Sequence, residues 1–180
     1  MLSLAGMGVF DAVAHAMTTI ATGGYSTRTA SIGAFDSVII EWIIIAGMIV
    51  GSLPFAHYLA MVRGGWQSLL QDPQVRWFLG LLLVVVGLLC WHLNTTGMPL
   101  GTAIRQSSFN AVSIMTGTGY GSANFSAWGG FASTLLLIAM FIGGCGGSTT
   151  CGIKVFRLQV LATTARVQIS RLLRPHAVVL

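Results

Sequence analysis

Charged residues are scarce in this sequence. Asp, Glu, Lys and Arg make up 7% of the 180 residues, whereas hydrophobic residues make up 54%. A soluble domain carries about 25% charged residues. The composition therefore excludes most soluble enzyme classes and predicts an integral membrane protein that lies in a lipid bilayer.

Acidic residues are rarer than basic ones: the chain has four Asp or Glu and nine Lys or Arg. Five basic residues follow a hydrophobic segment near the end of the chain: Lys154, Arg157, Arg166, Arg171 and Arg174. A nucleic-acid surface has a denser basic cluster or basic residues interleaved with aromatics. We therefore expect no nucleic-acid partner, and interpret the bias as the positive charge of a cytoplasmic side.

Cysteine and catalytic groups are also sparse. Cys90, Cys145 and Cys151 form no CxxC pair, so neither a disulfide framework nor a zinc site is indicated. No Ser–His–Asp set or metal-ligand set has a spacing better than chance. We expect no enzyme and no bound cofactor.

Glycine, in contrast, is plentiful and recurs in a pattern. The stretch ATGGYST at residues 21–27 returns in altered form as TGTGYGS at 116–122. A shift of 95 residues places Gly24 on Gly119 and repeats the order of elements: short helix, glycine–aromatic loop, polar segment, long apolar run. We call 21–27 the first loop and 116–122 the second loop. The repeat predicts two copies of one structural unit.

The apolar runs predict an all-α fold. The expected helices are short ones at 10–21 and 102–115, spans at 38–62 (kinked at Pro54) and 77–93, and apolar segments at 131–142 and 153–163. A 12-residue helix is about 18 Å long, too short to cross a bilayer, so the short helices are expected to be re-entrant. The predicted units are 1–63, a cytoplasmic connector at 64–76, 77–165, and a basic cytoplasmic tail at 166–180.

The two loops have the chemistry of a cation filter. Glycine permits positive φ, so that successive backbone carbonyls can point toward one axis and replace the water shell of potassium. The predicted carbonyl donors are Ala21, Thr22, Gly23, Gly24, Thr116, Gly117, Thr118 and Gly119. Tyr25 and Tyr120 are expected to pack behind the loops and hold their width. The alternative is that both loops are ordinary turns between helices.

The sequence resembles the Trk/Ktr/HKT superfamily of potassium transporters, and within it the bacterial TrkH-type family. The resemblance rests on FDAVAHAMTTIATGGYSTRTASIGAFDS, LQDPQVRWFLG, SFNAVSIMTGTGY and FIGGCGGSTTCGIKVFR. It implies span–pore-helix–filter-loop–span repeats with pseudo-fourfold symmetry in the complete protein. This chain is similar to the second repeat without its first span, plus the whole third repeat, with Gly24 and Gly119 as the filter glycines.

The resemblance also implies partners and location. It leads us to expect the remaining pore repeats of a longer protein, a homodimer, a cytosolic nucleotide-binding regulatory subunit, and multi-pass insertion in the bacterial inner membrane. The expected function is potassium transport as a pore-forming subunit. The alternatives are a non-conducting membrane scaffold and a transporter of the same superfamily that passes both sodium and potassium.

Residues 143–152 contain five glycines in ten positions, too many for a stable helix. We call them the glycine-rich segment. The resemblance implies a gating loop beneath the filter, formed by Gly143, Gly144, Gly146, Gly147, Ser148, Thr149, Gly152 and the following Lys154. The alternative is a close-packed glycine interface between helices.

The other polar residues in apolar surroundings receive structural interpretations. Lys154 could extend to the cytoplasm or oppose a cation in the pore, and the first is favoured. Asp11 fits a helix start, and Glu41 is expected at the outer interface. His15 and His57 are expected to pack against neighbouring helices.

Overall fold

The structure is a computed structural model that describes residues 1–65 and 67–173, and within those ranges it is helical. The eight α-helices are α1 (Val9–Ile20), α2 (Val38–Gly51), α3 (Phe55–Val62), α4 (Gln67–Gln71), α5 (Pro73–Thr95), α6 (Leu100–Met115), α7 (Gly130–Met140) and α8 (Val155–Leu173). The all-α prediction is confirmed.

Two short helices lead into the two loops. Helix α1 has 12 residues and ends at Ile20, while α6 has 16 and ends at Met115. Helix α6 begins two residues earlier than predicted, directly after Pro99, whose fixed φ suits the start of a helix. Short 3₁₀ turns at Ser31–Phe35 and Phe125–Trp128 follow the loops and lead to α2 and α7. The predicted repeat of elements is therefore present.

The single span predicted at 38–62 is wrong in shape. The chain bends by 93° between α2 and α3, so residues 38–62 form two helices and not one straight span. Pro54 disfavours helical geometry in the residue before it and cannot donate a backbone hydrogen bond. The break is also held from outside, because the Phe55 N–H donates to the carbonyl of Gly147, 3.1 Å away.

Helix α5 is longer than the predicted 77–93. Asp72 accepts a hydrogen bond from the Gln74 N–H at 2.7 Å, and Pro73 takes the first helical position. Both are recognised helix-start signals. Within the described ranges, α5 is the one unbroken helix long and apolar enough to cross a membrane, and the bent α2–α3 pair counts as a second if taken as one span.

Two helices, α7 and α8, flank the glycine-rich segment. Helix α7 has 11 residues and α8 has 19, and the predicted unit boundary at residue 165 falls inside α8. Trp66 of the predicted connector, and Arg174 with the rest of the predicted tail to residue 180, lie outside the described residues.

The core lies between α2, α5, α6 and α7. Helix α5 places Phe78, Leu82, Val85 and Leu89 on one buried face, at helical spacing. Phe109 and Val112 of α6 are buried as well. Helix α1 packs on α2 so closely that a Cβ on Gly47 would lie 2.7 Å from the Thr19 side chain. This packing fixes the positions from which both loops start.

Candidate functional site

The first and second loops meet each other in the structure. A Cβ placed on Gly24 would lie 1.8 Å from the carbonyl oxygen of Thr118 and 2.8 Å from its carbonyl carbon. Real Cβ atoms do not approach a backbone this closely, so only glycine fits at position 24. Two stretches 95 residues apart are thus brought into backbone contact.

The loops share an unusual backbone conformation. Positive φ angles occur at Thr22 (50°) and Gly24 (67°) in the first loop, and at Gly117 (70°) and Gly119 (86°) in the second. These positions correspond under the 95-residue shift. Left-handed residues at alternate positions turn peptide groups in directions that a regular strand or helix does not allow. The matching angles favour two copies of one functional loop over two unrelated turns.

Each loop continues from the C-terminal end of its short helix. The carbonyls at the end of α6 receive hydrogen bonds from the second loop itself: Gly117 N–H donates to Ile114, and Gly119 N–H donates to Ser113. The aligned peptide dipoles of a helix also give its C-terminus a partial negative charge of about half an electron. Both short helices therefore direct their negative ends toward the meeting point of the loops.

Tyr120 packs against α1, the helix that precedes the first loop. Its ring is 2% exposed, and its hydroxyl makes hydrogen bonds with the hydroxyl of Thr18 and with the carbonyl of His15, at 3.4 Å to the latter. Ser113 holds the backbone of Tyr120 through its hydroxyl, which donates to the Tyr120 carbonyl at 2.7 Å. Tyr120 therefore joins the second loop to α1.

Tyr25 differs from its prediction. Its side chain is 79% exposed, and its ring would lie 3.4 Å from a Cβ on Gly23 of its own loop. The 95-residue shift pairs it with Tyr120, but the surface that buries Tyr120 is α1. In this chain no corresponding helix covers Tyr25 within the described residues.

His15 is fully buried and fixes the end of the first loop. Its Nδ1 lies 2.7 Å from the Asp11 carbonyl, which can only accept, so Nδ1 carries the proton. Nε2 then accepts from the Ser26 hydroxyl at 2.9 Å. The sequence predicted only packing for His15 and not this hydrogen bond. No spacing rule reveals the bond, because its partner lies 11 residues away in a loop.

Asp11 also does more than start a helix. Its carboxylate accepts from the Thr27 hydroxyl at 2.8 Å and from the Arg28 guanidinium at 3.0 Å. Those hydrogen bonds, first from Thr27 and then from Arg28, hold the pKa of Asp11 below its usual range. The two acceptor sites on α1, His15 and Asp11, together tie residues 26–28 to the helix.

The glycine-rich segment forms a closed loop at the ends of α7 and α8. Its base is pinned where Gly143 N–H donates to the Ile153 carbonyl at 2.9 Å and Ile153 N–H donates to the Phe141 carbonyl at 3.0 Å. A Cβ on Gly143 would lie 2.2 Å from the Cys151 carbonyl oxygen. The two sides of the loop therefore approach as closely as glycine allows.

The glycine-rich segment also binds the break between α2 and α3. Cys145 N–H donates to the Ser52 carbonyl at 3.1 Å, and Thr149 N–H donates to the Gly51 carbonyl at 3.3 Å. The segment thus satisfies carbonyls that the end of α2 leaves without helical partners. These contacts are made by an irregular loop, whereas the alternative interpretation expected packed helices.

The sequence favoured a Lys154 side chain that extends to the cytoplasm. In the structure it turns back into the glycine-rich segment instead. Its ammonium donates to the carbonyl of Thr150 and, at 3.0 Å, to the hydroxyl of the same residue. The Ser148 carbonyl lies 3.4 Å away. A cation therefore already sits among the oxygens of the glycine-rich segment, and it is supplied by the chain itself.

Glu41 is buried against α6 and has a charged partner that the sequence interpretation missed. Its side chain is 6% exposed, and Oε1 lies 3.3 Å from Nη1 of Arg105 on α6. Its second oxygen, Oε2, is buried without a hydrogen-bond partner among the described residues. The pair links α2 to α6.

His57 likewise has a charged partner that the sequence interpretation missed. Its Nε2 lies 2.6 Å from Oδ2 of Asp72, the residue that caps α5. The Asp-Pro dipeptide at 72–73 was the available signal for the cap. Across the described residues, no group of His, Cys, Asp and Glu is arranged to hold a metal ion, and the cysteines are free. Any cation bound at the loops would be held by carbonyl and hydroxyl oxygens.

Comparison with known proteins gives consistent matches. The TrkH family model, described as a cation transport protein, matches residues 2–180. The Trk system potassium uptake protein TrkI of Halomonas elongata is 42% identical over 97% of this chain, and TrkH of Escherichia coli K12 is 38% identical over 98%. The crystal structure of the potassium transporter TrkH from Vibrio parahaemolyticus superposes with a TM-score of 0.89 at 36% identity and covers 98% of this chain.

These relatives are much longer than the present chain. The chain spans 36% of the Halomonas protein, 37% of the Escherichia protein and 39% of the chain in the Vibrio structure. The matches therefore concern a part of each relative that contains both loops and the glycine-rich segment.

Proposed function

The chain belongs to the TrkH family of cation transport proteins, and we propose that it forms part of the pore of a potassium uptake protein. Within that pore it contributes two strands of a selectivity filter and one gating loop. Its relatives are named potassium uptake proteins. The proposal extends that substrate, the potassium ion, to this chain.

The observation that carries the proposal is the meeting of the two loops. Gly24 and Thr118 are in backbone contact, and corresponding positions in the two loops have matching positive φ angles. Both loops follow the C-terminal ends of short helices. An irregular backbone at membrane depth is tolerated where it is enclosed by protein or lines a water-filled space.

The proposed mechanism begins with removal of water from the ion. The backbone carbonyls of residues 21–24 and 116–119 replace part of the hydration shell of potassium. The negative ends of α1 and α6 favour a cation at the same place. Tyr120 keeps the second strand against α1 and so limits the width of the opening.

Two strands make half of a four-part filter. We propose that further pore repeats in a longer protein supply the other half, and that the whole is a multi-pass protein of the bacterial inner membrane. A homodimer and a cytosolic nucleotide-binding regulatory subunit complete the proposal, both on the resemblance described above. A protein with this role is a transporter and not an enzyme.

Uptake by the full-length protein tests the proposal. The complete gene product containing this segment is expressed in cells that lack their own potassium uptake, and growth and ⁸⁶Rb⁺ uptake are measured at low external potassium. We expect rescue of growth and saturable uptake that potassium inhibits more strongly than sodium. Equal inhibition by sodium would favour the sodium- and potassium-permeable alternative, and no uptake would favour the scaffold.

We further propose that the glycine-rich segment regulates passage through the pore. Hydrogen bonds to Gly51 and Ser52 hold the segment in one compact conformation, and so do the contacts that Lys154 makes with it. An equilibrium between this conformation and another would open or close the path below the filter. The proposal predicts that changes within the segment alter flux.

The substitution Gly147→Ala in the full-length protein tests whether the glycine-rich segment gates the pore. Gly147 has φ +74° and open space around it, so alanine would add backbone strain of about 1 kcal/mol and no collision. We expect ⁸⁶Rb⁺ flux to change about fivefold while the preference for potassium over sodium stays the same. Gly64→Ala, with φ +92° and equally open surroundings, is the matched control outside the segment. Wild-type flux in Gly147→Ala would contradict gating by this segment.

A further inference from the structure

Thr22 occupies a backbone position that the second loop gives to glycine. Its φ is +50°, and the equivalent residue under the 95-residue shift, Gly117, has φ +70°. Threonine is branched at Cβ, and a positive φ is a true outlier for such a residue. A residue kept in an unfavourable conformation is retained where its side chain has a task.

The hydroxyl of Thr22 lies between two carbonyl oxygens. Oγ1 is 2.8 Å from the carbonyl oxygen of Ala21, a proposed filter donor, and 3.0 Å from that of Thr149 in the glycine-rich segment. A hydroxyl has one proton, so it can make a full hydrogen bond to only one of these oxygens at a time. The two carbonyls compete for it.

The side chain of Thr149 also contacts α1 and α2. Its hydroxyl lies 3.0 Å from the carbonyl of Ile20, the last residue of α1, and 2.9 Å from that of Gly51. The three preceding carbonyls of α1, those of Met17, Thr18 and Thr19, accept from the backbone N–H groups of Ala21, Gly23 and Thr22 respectively. The fourth, that of Ile20, has the Thr149 hydroxyl as its partner and shares it with the Gly51 carbonyl.

The second loop is built differently. The hydroxyls of Thr116 and Thr118 bond to each other at 2.7 Å, and that of Thr116 also lies 3.3 Å from the Ser113 carbonyl. The glycine-rich segment meets this loop by apolar contact, with the Cys151 Cβ 3.1 Å from where a Cβ on Gly117 would be. Polar contact with the segment is thus a property of the first loop.

We infer that Thr149 is a positioning residue for the first filter strand, so that the glycine-rich segment influences which ion is preferred as well as how fast ions pass. This rests on the proposed function. With the segment in place, the Thr149 carbonyl competes with the Ala21 carbonyl for the Thr22 proton, so the Ala21 carbonyl is partly available to an ion. When the segment withdraws, the proton goes to Ala21 and weakens that carbonyl as an ion ligand.

The coupling acts in both directions. A cation bound at the Ala21 carbonyl repels the Thr22 proton and directs it to Thr149, which strengthens the bond that holds the segment. Reciprocity of this kind is required whenever two sites share one equilibrium. Ion occupancy in the filter and the position of the segment are therefore linked through one hydroxyl group.

The test measures ion preference in the full-length transporter. The measured ratio is the sodium concentration that halves ⁸⁶Rb⁺ uptake divided by the potassium concentration that does so. Thr149→Val keeps the shape of the side chain but removes the hydroxyl that anchors the segment to the carbonyls of Ile20 and Gly51. The Thr149 carbonyl is then no longer held against Thr22, and we expect the ratio to fall about fivefold, as the loss of one net hydrogen bond implies. Thr149→Ser, which keeps the hydroxyl, should restore the ratio to within about twofold of wild type. Thr163→Val is the matched control, because among the described residues the Thr163 hydroxyl donates to the Gln159 carbonyl alone, on an exposed part of α8.

Thr22→Gly gives an independent measurement. It relieves the strained φ and copies the residue found at position 117, yet it removes the hydroxyl, so we expect the same fall in preference in a well-folded protein. The double variant Thr22→Gly/Thr149→Val should fall no further than either single one, because both remove one linkage.

The inference is overturned if either single variant, present in the membrane at wild-type level, keeps the wild-type ratio, or if the effects of the two multiply in the double variant. Should Thr149→Val fail to reach the membrane, the Thr22→Gly ratio alone decides. Absence of rubidium uptake by the wild-type protein would refute the proposed function instead, which separates the two failures.

Discussion

Gly24→Ala in the full-length transporter is expected to reduce rubidium uptake by at least about tenfold at normal membrane abundance. The new methyl group would lie 1.8 Å from the Thr118 carbonyl oxygen, and the residue would keep a φ of +67°. The colliding atom belongs to the backbone of the other loop, so no side-chain rotation can relieve the contact. Overpacking of this kind costs about 1–3 kcal/mol or more, and a tenfold change corresponds to about 1.4 kcal/mol.

Two further glycines separate the collision from the backbone strain. Gly119→Ala has the same positive φ problem at +86° but open space around the new Cβ, so we expect a smaller loss than for Gly24→Ala. Gly97→Ala, at φ +95° in the turn after α5 and also unobstructed, should leave uptake unchanged. Uptake is measured per amount of protein in the membrane. Equal activity of Gly24→Ala and wild type would remove the structural basis for the filter.

Arg105→Met is expected to be the most destabilising of the proposed substitutions. It leaves the Glu41 carboxylate buried at 6% exposure, with Oε2 already without a partner. Removing one member of a buried ion pair costs about 3–5 kcal/mol, because the remaining charge stays desolvated. Thermal unfolding of the purified full-length protein in detergent, followed by size-exclusion chromatography, should show a clear drop in the melting temperature.

The double variant Glu41→Leu/Arg105→Met distinguishes this explanation from loss of packing. Replacement of both charges by apolar groups of similar volume is often neutral or stabilising. We expect the double variant to recover most of the lost thermal stability. If the single variant is as stable as wild type, or if the double variant is less stable than the single, the ion pair does not hold α2 against α6 in the way described.

The order of elements could be predicted from the sequence because it depends on local patterns. The repeated glycine–aromatic loops, the short helices before them and the glycine-rich interruption are all visible as composition along the chain. The 93° bend at Pro54 was underestimated, because a proline in an apolar run indicates a kink but not its size. The backbone of residue 55 is held at that bend by a carbonyl 92 positions later in the chain, at Gly147.

The environments of equivalent residues could not be predicted from the repeat. Tyr25 and Tyr120 occupy matching positions, yet one is 79% exposed and the other 2% exposed, because burial depends on which helix lies nearby. Thr22 could not be recognised as left-handed, since threonine avoids that conformation and only tertiary contacts maintain it. Its partner Thr149 lies 127 residues away, beyond the reach of any local pattern.

Two other features of the structure are foreshadowed by local signals in the sequence. Asp72-Pro73 is a strong helix-start signal, and α5 begins there. Glu41 and Arg105 are isolated opposite charges in two helices predicted to lie in the membrane, and charged residues at membrane depth almost always pair. Pairing the isolated charges of a membrane protein before assigning them to interfaces would have found this contact.

Direct location of the bound ion tests the central claim that the two loops form part of a potassium filter. The full-length protein would be crystallised with rubidium in place of potassium, and the anomalous difference density calculated at the rubidium absorption edge. We predict a rubidium peak between the first and second loops, surrounded by backbone carbonyls of residues 21–24 and 116–119. Absence of rubidium there, with rubidium bound instead at acidic side chains elsewhere in the pore, would contradict the account.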